Sequence, residues 1–117
     1  MARGFIETYS NVEIEGDVEY RQFQTKFRNY LKKILPEGWE LAEFHKNWFC
    51  CSAFFRNGEK YIYLRLDDVR GCKMSKLFDS ILVRTARDCK DFIGGSNNYV
   101  HINELPGFLK KKERYDW

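Results

Sequence analysis

A chain of 117 residues, 44% of them hydrophobic and 17% aromatic, has the apolar bulk for one packed domain, and a domain of this size buries roughly two-thirds of its unfolded surface. That composition excludes intrinsic disorder and removes the need for a disulfide or metal staple. The net charge of +3 is spread unevenly: residues 1–20 set Glu7, Glu13, Glu15, Asp17 and Glu19 against Arg3, an acidic segment before a basic body. Such a body suits a polyanion or an acidic protein surface, or simply carries a solvated face.

The N-terminus MARGFIETYS lacks the apolar stretch of a signal peptide, and no run approaches the ~20 apolar residues of a membrane span. Cys50, Cys51, Cys72 and Cys89 show no C-x-x-C spacing. The simplest expectation is a cytoplasmic protein with reduced thiols, no membrane association, no disulfide and no bound metal.

Along the chain, residues 5–15 alternate weakly at Val12 and Ile14 against Glu13 and Glu15, so that residues 1–15 read as an edge strand or an extended arm. Asp17 is a suitable N-cap for the next element, because its carboxylate can accept from orphan amides. From there Tyr20, Phe23, Phe27, Tyr30, Leu31 and Ile34 recur at helical spacing until Pro36 ends the run. The spacing predicts an amphipathic helix over Asp17–Leu35, about five turns long, with Arg21, Lys26, Arg28, Lys32 and Lys33 on its polar side. Trp39–Lys46 reads as a strand burying Trp39, Leu41 and Phe44.

The segment Trp48 to Asp67, WFCCSAFFRNGEKYIYLRLD, carries the clearest signal. Asn57-Gly58 between two β-rich runs predicts a two-residue hairpin loop. That loop sets Arg56 opposite Glu59, Phe54 opposite Tyr61, Ser52 opposite Tyr63 and Cys50 opposite Arg65. With period-two alternation, one face holds Phe49, Cys51, Ala53, Phe55, Ile62, Leu64 and Leu66, interrupted by Lys60, and is a core face. The other holds Trp48, Phe54, Tyr61 and Tyr63 among Arg56 and Arg65.

Residues 68–80 give no clear pattern beyond Met74, Leu77 and Phe78, which suit a helical turn or an ordered loop. Ile81–Arg87 reads as a strand, Asp88–Asn98 as a loop, and Tyr99–Ile102 as a short strand. Leu105–Arg114 reads as a terminal helix with Pro106 in its first turn, where a missing N–H costs nothing. The class is α+β: an antiparallel sheet of about four or five strands, an N-terminal amphipathic helix packed on one face, and a short C-terminal helix.

Residue types that carry chemistry are sparse. His45 and His101 have no zinc-ligand spacing with the cysteines, and a Cys89–His101 nucleophile pair has no orienting third group. Gly94-Gly95-Ser96 fails the phosphate-loop pattern and reads as a turn. Asp67-Asp68 with Asp88 and Asp91 lacks any cation-binding motif. No catalytic residue and no cofactor emerge.

The aromatic and basic hairpin face stands out instead. Bases stack on exposed sheet aromatics for about 1–3 kcal/mol each while Arg and Lys neutralise phosphates. The alternative is that a helix, the N-terminal arm or a second copy in a homodimer covers these rings, because a bare four-aromatic patch on a monomer invites association. Lys110-Lys111-Lys112-Glu113-Arg114 either complements the helix macrodipole or adds salt-sensitive contacts to a polyanion.

At Leu66-Asp67-Asp68-Val69-Arg70, Ile81-Leu82-Val83-Arg84-Thr85-Ala86 and Gly94-Gly95-Ser96-Asn97-Asn98-Tyr99 the chain resembles small, poorly characterised proteins of phages and conjugative elements of Gram-positive bacteria. The resemblance spans residues 60–105 and carries over no catalytic residue. It implies an accessory of a mobile genetic element, which handles that element's DNA or blocks a host defence such as an RNA-guided nuclease. The sequence therefore predicts a non-enzymatic protein that binds single-stranded nucleic acid or a nucleoprotein. The expected contacts are Trp48, Tyr61, Tyr63, Arg65, Arg84, Arg87, Lys110 and Lys111. The alternative is an inhibitor of anti-CRISPR type that docks directly on a protein effector.

Overall fold

A computed structural model describes residues 5–10, 13–47, 50–67, 70, 74–91 and 97–112. Trp48, Phe49, Cys72 and the Gly94-Gly95-Ser96 run, all named above, lie outside the described residues. The elements run in chain order as α1 (Phe5–Ser10), α2 (Asp17–Ile34), β1 (Glu40–Lys46), β2 (Cys50–Asn57), β3 (Lys60–Asp67), α3 (Met74–Asp79), β4 (Ile81–Ala86), β5 (Asn98–Val100), a single 3-10 turn (Ile102–Glu104) and α4 (Leu105–Lys112). The five strands form one antiparallel sheet in the order β1-β2-β3-β4-β5. The expected α+β class, the N-terminal helix and the short C-terminal helix are all present.

Helix α2 forms where its periodicity puts it. Tyr20, Phe23, Gln24, Phe27 and Leu31 fall on its buried stripe, spaced three and four residues apart. The helix stops because Leu35 precedes Pro36: it adopts φ −65°, ψ 131°, since proline pushes its predecessor out of the α region. The N-cap is Gly16 rather than Asp17, which is the first helical residue; Gly16 offers no side-chain cap, and its carbonyl accepts the first helical bond from Tyr20 N at 3.0 Å.

The N-terminal segment departs from the sequence expectation. Residues 5–10 are helical, and among the described residues of the segment only Ile14 pairs in an extended manner, through an isolated parallel bridge to Arg70; Val12 lies outside the described residues. Phe5 explains the difference. Its ring centroid lies 4.8 Å from that of Tyr30, 5.7 Å from Phe23 and 5.7 Å from Phe78. A contact with residues 18 to 73 positions away outweighs a weak local alternation.

The hairpin register also shifts. The loop residues are Gly58-Glu59, and the ladder pairs Asn57 with Lys60, Arg56 with Tyr61, Phe54 with Tyr63, Ser52 with Arg65 and Cys50 with Asp67. Gly58 has φ 63° and no non-glycine residue among the described residues has positive φ, the signature of a II′ turn, in which only the first loop position is left-handed. Partners therefore move by two positions. Because alternation has period two, both faces keep the residues assigned to them.

The principal core lies between the helices and the first face. Cys51, Ala53, Phe55, Ile62, Leu64, Leu66, Ile81 and Val83 from the sheet meet Phe23, Phe27, Leu31, Phe78, Leu105 and Leu109 from the helices. Trp39 joins this core as expected, with Leu41 and Phe44 partly buried against it. A register shift between Leu41 and Glu43 marks a bulge in β1, which with Glu40, Glu43 and Lys46 blunts this edge strand against pairing.

Candidate binding face of the sheet

Strand pairing fixes what the second face of the sheet displays. One row runs Glu43, Phe54, Tyr63, Arg84 across β1 to β4, and the next runs His45, Ser52, Arg65, Leu82, Tyr99 across β1 to β5. A third holds Arg56, Tyr61 and Ala86. Three tyrosines and three arginines are thus interleaved, as alternation along β3 implies.

Half of this face is covered. Phe54 and Tyr63 are 0% and 5% exposed, and with Ala86 they form a second small core, packed by Ala42, Tyr61, Leu82 and Cys89. Cys89 belongs to the β4–β5 connection, and it lies near enough to Glu43 of β1 and Arg56 of β2 for both to act on its thiol. Burial raises the Cys89 pKa first, and Glu43 and Asp88 raise it further. Cys89 therefore lies over the sheet on the side of β1 and β2. An open aromatic platform at Phe54 and Tyr63 is corrected accordingly: these rings are packing residues, their centroids 5.1 Å apart.

The other half is open. Tyr99 is 64% exposed, and Arg65 and His45 have side chains 47% and 39% exposed. Arg65 Nε pairs with Asp67 at 3.1 Å, Arg56 Nε with Glu40 at 2.7 Å, and His45 Nε2 with Glu43 at 3.2 Å.

Arg84 sits at the boundary and differs from these. It is 9% exposed, with its guanidinium carbon 4.5 Å above the Tyr63 ring centroid. Its Nε is buried without a hydrogen-bond partner, and it enters none of the ion pairs among the described residues. Stacking on tyrosine offsets part of the cost of burying a cation, about 0.5–2 kcal/mol, whereas removing a charge from water costs several kcal/mol. The Tyr63 hydroxyl has its pKa raised by burial, against the opposing pull of Arg65 and Arg84.

The remaining expected contacts do not converge here. Tyr61 is half-buried in the second core. Arg87 is exposed just past β4, with its backbone N–H donated to Asp91 Oδ2 at 3.0 Å. Lys110 and Lys111 are exposed on α4, whose Leu105 and Leu109 enter the principal core, on the other side of the sheet from Tyr63 and Arg84. Sequence reasoning gave Tyr99 no role. Its place opposite Leu82, in the row that continues to Arg65, comes from the β4–β5 pairing, which no local pattern announces.

Cys50, Cys51 and Cys89 are free thiols, and no group of three or more His, Cys, Asp or Glu side chains suited to a metal occurs among the described residues. No helix among them is long and apolar enough to cross a membrane. No family model matches the chain, and neither does any curated protein or solved structure.

Proposed function

We propose that this chain is a non-enzymatic binding protein, an accessory of a mobile genetic element, that engages single-stranded nucleic acid, free or within a nucleoprotein, through the open half of the sheet's second face. The observation that carries this reading is Arg84: a nearly buried guanidinium without an anionic partner among the described residues. A phosphate would supply the missing charge, and guanidinium is the group best matched to it. Tyr99 offers a stacking surface beside it, and Arg65 a second cation that exchanges Asp67 for phosphate at little cost, since exposed ion pairs contribute about 0–1 kcal/mol.

Fluorescence anisotropy with a labelled single-stranded oligonucleotide tests the proposal. Two phosphates held by Arg84 and Arg65 give a slope of about −1.4 in log K against log salt. Arg84→Met and Tyr99→Ala should each weaken binding by about 1–3 kcal/mol. Binding indifferent to both substitutions, or absent at low salt, removes the proposal.

A second reading is favoured by the alternating pairs Glu40–Arg56, Asp67–Arg65 and Glu43–His45. A surface of both signs, rich in Tyr and Arg, matches a protein hot spot more than a phosphate track. On that reading the chain is a docking inhibitor of anti-CRISPR type. Capture of a host effector that survives nuclease treatment and high salt would select it.

A further inference from the structure

Where the start of α2 meets the end of β1, a pocket of about 390 Å³ is lined by Asp17, Tyr20, Arg21, Gln24, Lys46 and Asn47. Its volume lies in the range of small-molecule sites, roughly 300–1,000 Å³. Two polar side chains line it from within: Tyr20 and Gln24, one helical turn apart and each 2% exposed. Gln24 is held in place by donating Nε2 to the Asn47 carbonyl at 3.0 Å, so helix and strand are tied together across the pocket.

The charges of the rim are unbalanced. Asp17 is already neutralised by Arg70, whose Nη1 lies 2.9 Å from its Oδ1 and whose guanidinium covers the Tyr20 ring at 4.7 Å. Arg21 and Lys46 enter none of the ion pairs among the described residues. Lys46 Nζ instead donates to Thr25 Oγ1 and so leans towards the helix that carries Arg21.

We infer that this pocket binds a small phosphate monoester, its phosphate held between Arg21 and Lys46 and its polar body against Gln24 and Asn47. A guanidinium from α2 that bonds through two donors and an ammonium from the end of β1 acting as a point charge, both lining the pocket, together match a dianion better than a single carboxylate. The amide nitrogens of Gln24 and Asn47 already donate, to the Asn47 carbonyl at 3.0 Å and to Cys50 Sγ at 3.6 Å, so the two carboxamides offer a bound body their acceptor oxygens and their second N–H groups, which suit one with hydrogen-bonding edges, such as a nucleobase. This site is independent of the sheet face proposed above.

Titration of the intact protein with adenosine, cytidine, guanosine and uridine 5′-monophosphates, followed by nitrogen–proton correlation spectra, tests it. The expected result is saturable shifts at the Gln24 and Asn47 side-chain amides for at least one nucleotide, and none for its nucleoside. Arg21→Ala and Lys46→Ala both lie at exposed positions and should leave the melting temperature unchanged while raising Kd about 10-fold each. Absence of saturable binding at millimolar nucleotide, or binding that survives both substitutions, overturns the assignment. Equal binding of citrate or malate would overturn its phosphate specificity.

Discussion

Tyr63 and Leu64 are consecutive on β3 and point into different cores, yet both are buried, at 5% and 0% exposure. With the second face open, Leu64→Ala would be severe and Tyr63→Ala mild. The second small core changes the latter. Leu64→Ala should cost about 2–5 kcal/mol and Tyr63→Ala about 3–5 kcal/mol, whereas Arg65→Ala, exposed and in a surface ion pair, should stay within about 0.5 kcal/mol. Thermal melts of the three variants decide this; a mild Tyr63→Ala would mean that Cys89 and its neighbours do not seal the second core.

Another residue-scale consequence comes from Cys51, fully buried against α2. Burial pushes its thiol up to about 12 from an ordinary 9.0, partly opposed by hydrogen bonds with Gln24 and Tyr20. The folded chain thus keeps a proton that the unfolded chain releases near pH 9.0. This contribution to stability is intact below that pH and is lost as pH rises towards 12, by about 1.4 kcal/mol per pH unit. Cys51→Ala should flatten the alkaline side of the stability profile, and an unchanged slope would place the titration elsewhere.

At the scale of elements, α2 is a strong helix with a weak start. Gly16 caps it with backbone alone, and Glu19 stands three residues on. Gly16→Ser should complete a capping box with Glu19. Gly16 has φ −90° and a built Cβ would meet only Glu19 Oε1, at 3.9 Å, so nothing opposes the change. Stability should rise by about 0.5–1 kcal/mol through the new cap and a less mobile unfolded chain. A melting temperature that falls would show that the extended N-cap geometry is wrong.

The hairpin shows how an element absorbs an error of register. The Asn-Gly dipeptide suggested a loop with both residues left-handed, whereas only Gly58 is, and the loop slides by one residue. Asn57 pays no φ > 0 penalty in the strand it joins. The displacement of partners is even, so no side chain changes face.

For the molecule as a whole, the acidic N-terminal segment has two roles that must be tested apart. Its carboxylates Glu7, Glu13 and Glu15 are exposed, and their screening of the basic body is a proposal about charge. Its helix α1 is structural, through Phe5 and Tyr9 against Phe23 and Phe27. Deleting residues 1–15 therefore destabilises rather than tunes, and Phe5→Ala alone should cost about 2–3 kcal/mol. Glu7→Gln, Glu13→Gln and Glu15→Gln together should leave the melt unchanged and tighten oligonucleotide binding at low salt, with the gain fading above ~0.15 M. Unchanged affinity at low salt would remove the masking role.

The sequence by itself determined what depends on local periodicity. The 3.6-residue repeat of Tyr20, Phe23, Phe27 and Leu31 defines α2, and strict alternation across Cys51 to Phe55 and Ile62 to Leu66 defines the core face. Pro36 ends α2, and Pro106 marks the first turn of α4. Tertiary structure alone decided what depends on residues distant in sequence. It made α1 a helix through Phe5, packed Cys89 against the core of Phe54 and Tyr63, and carried Tyr99 into the row of Leu82 and Arg65. It also set Lys110 and Lys111 on the opposite layer from Arg84. Local pattern tells a side chain which face it leaves from, but only the packing of the rest of the chain determines whether that face meets water.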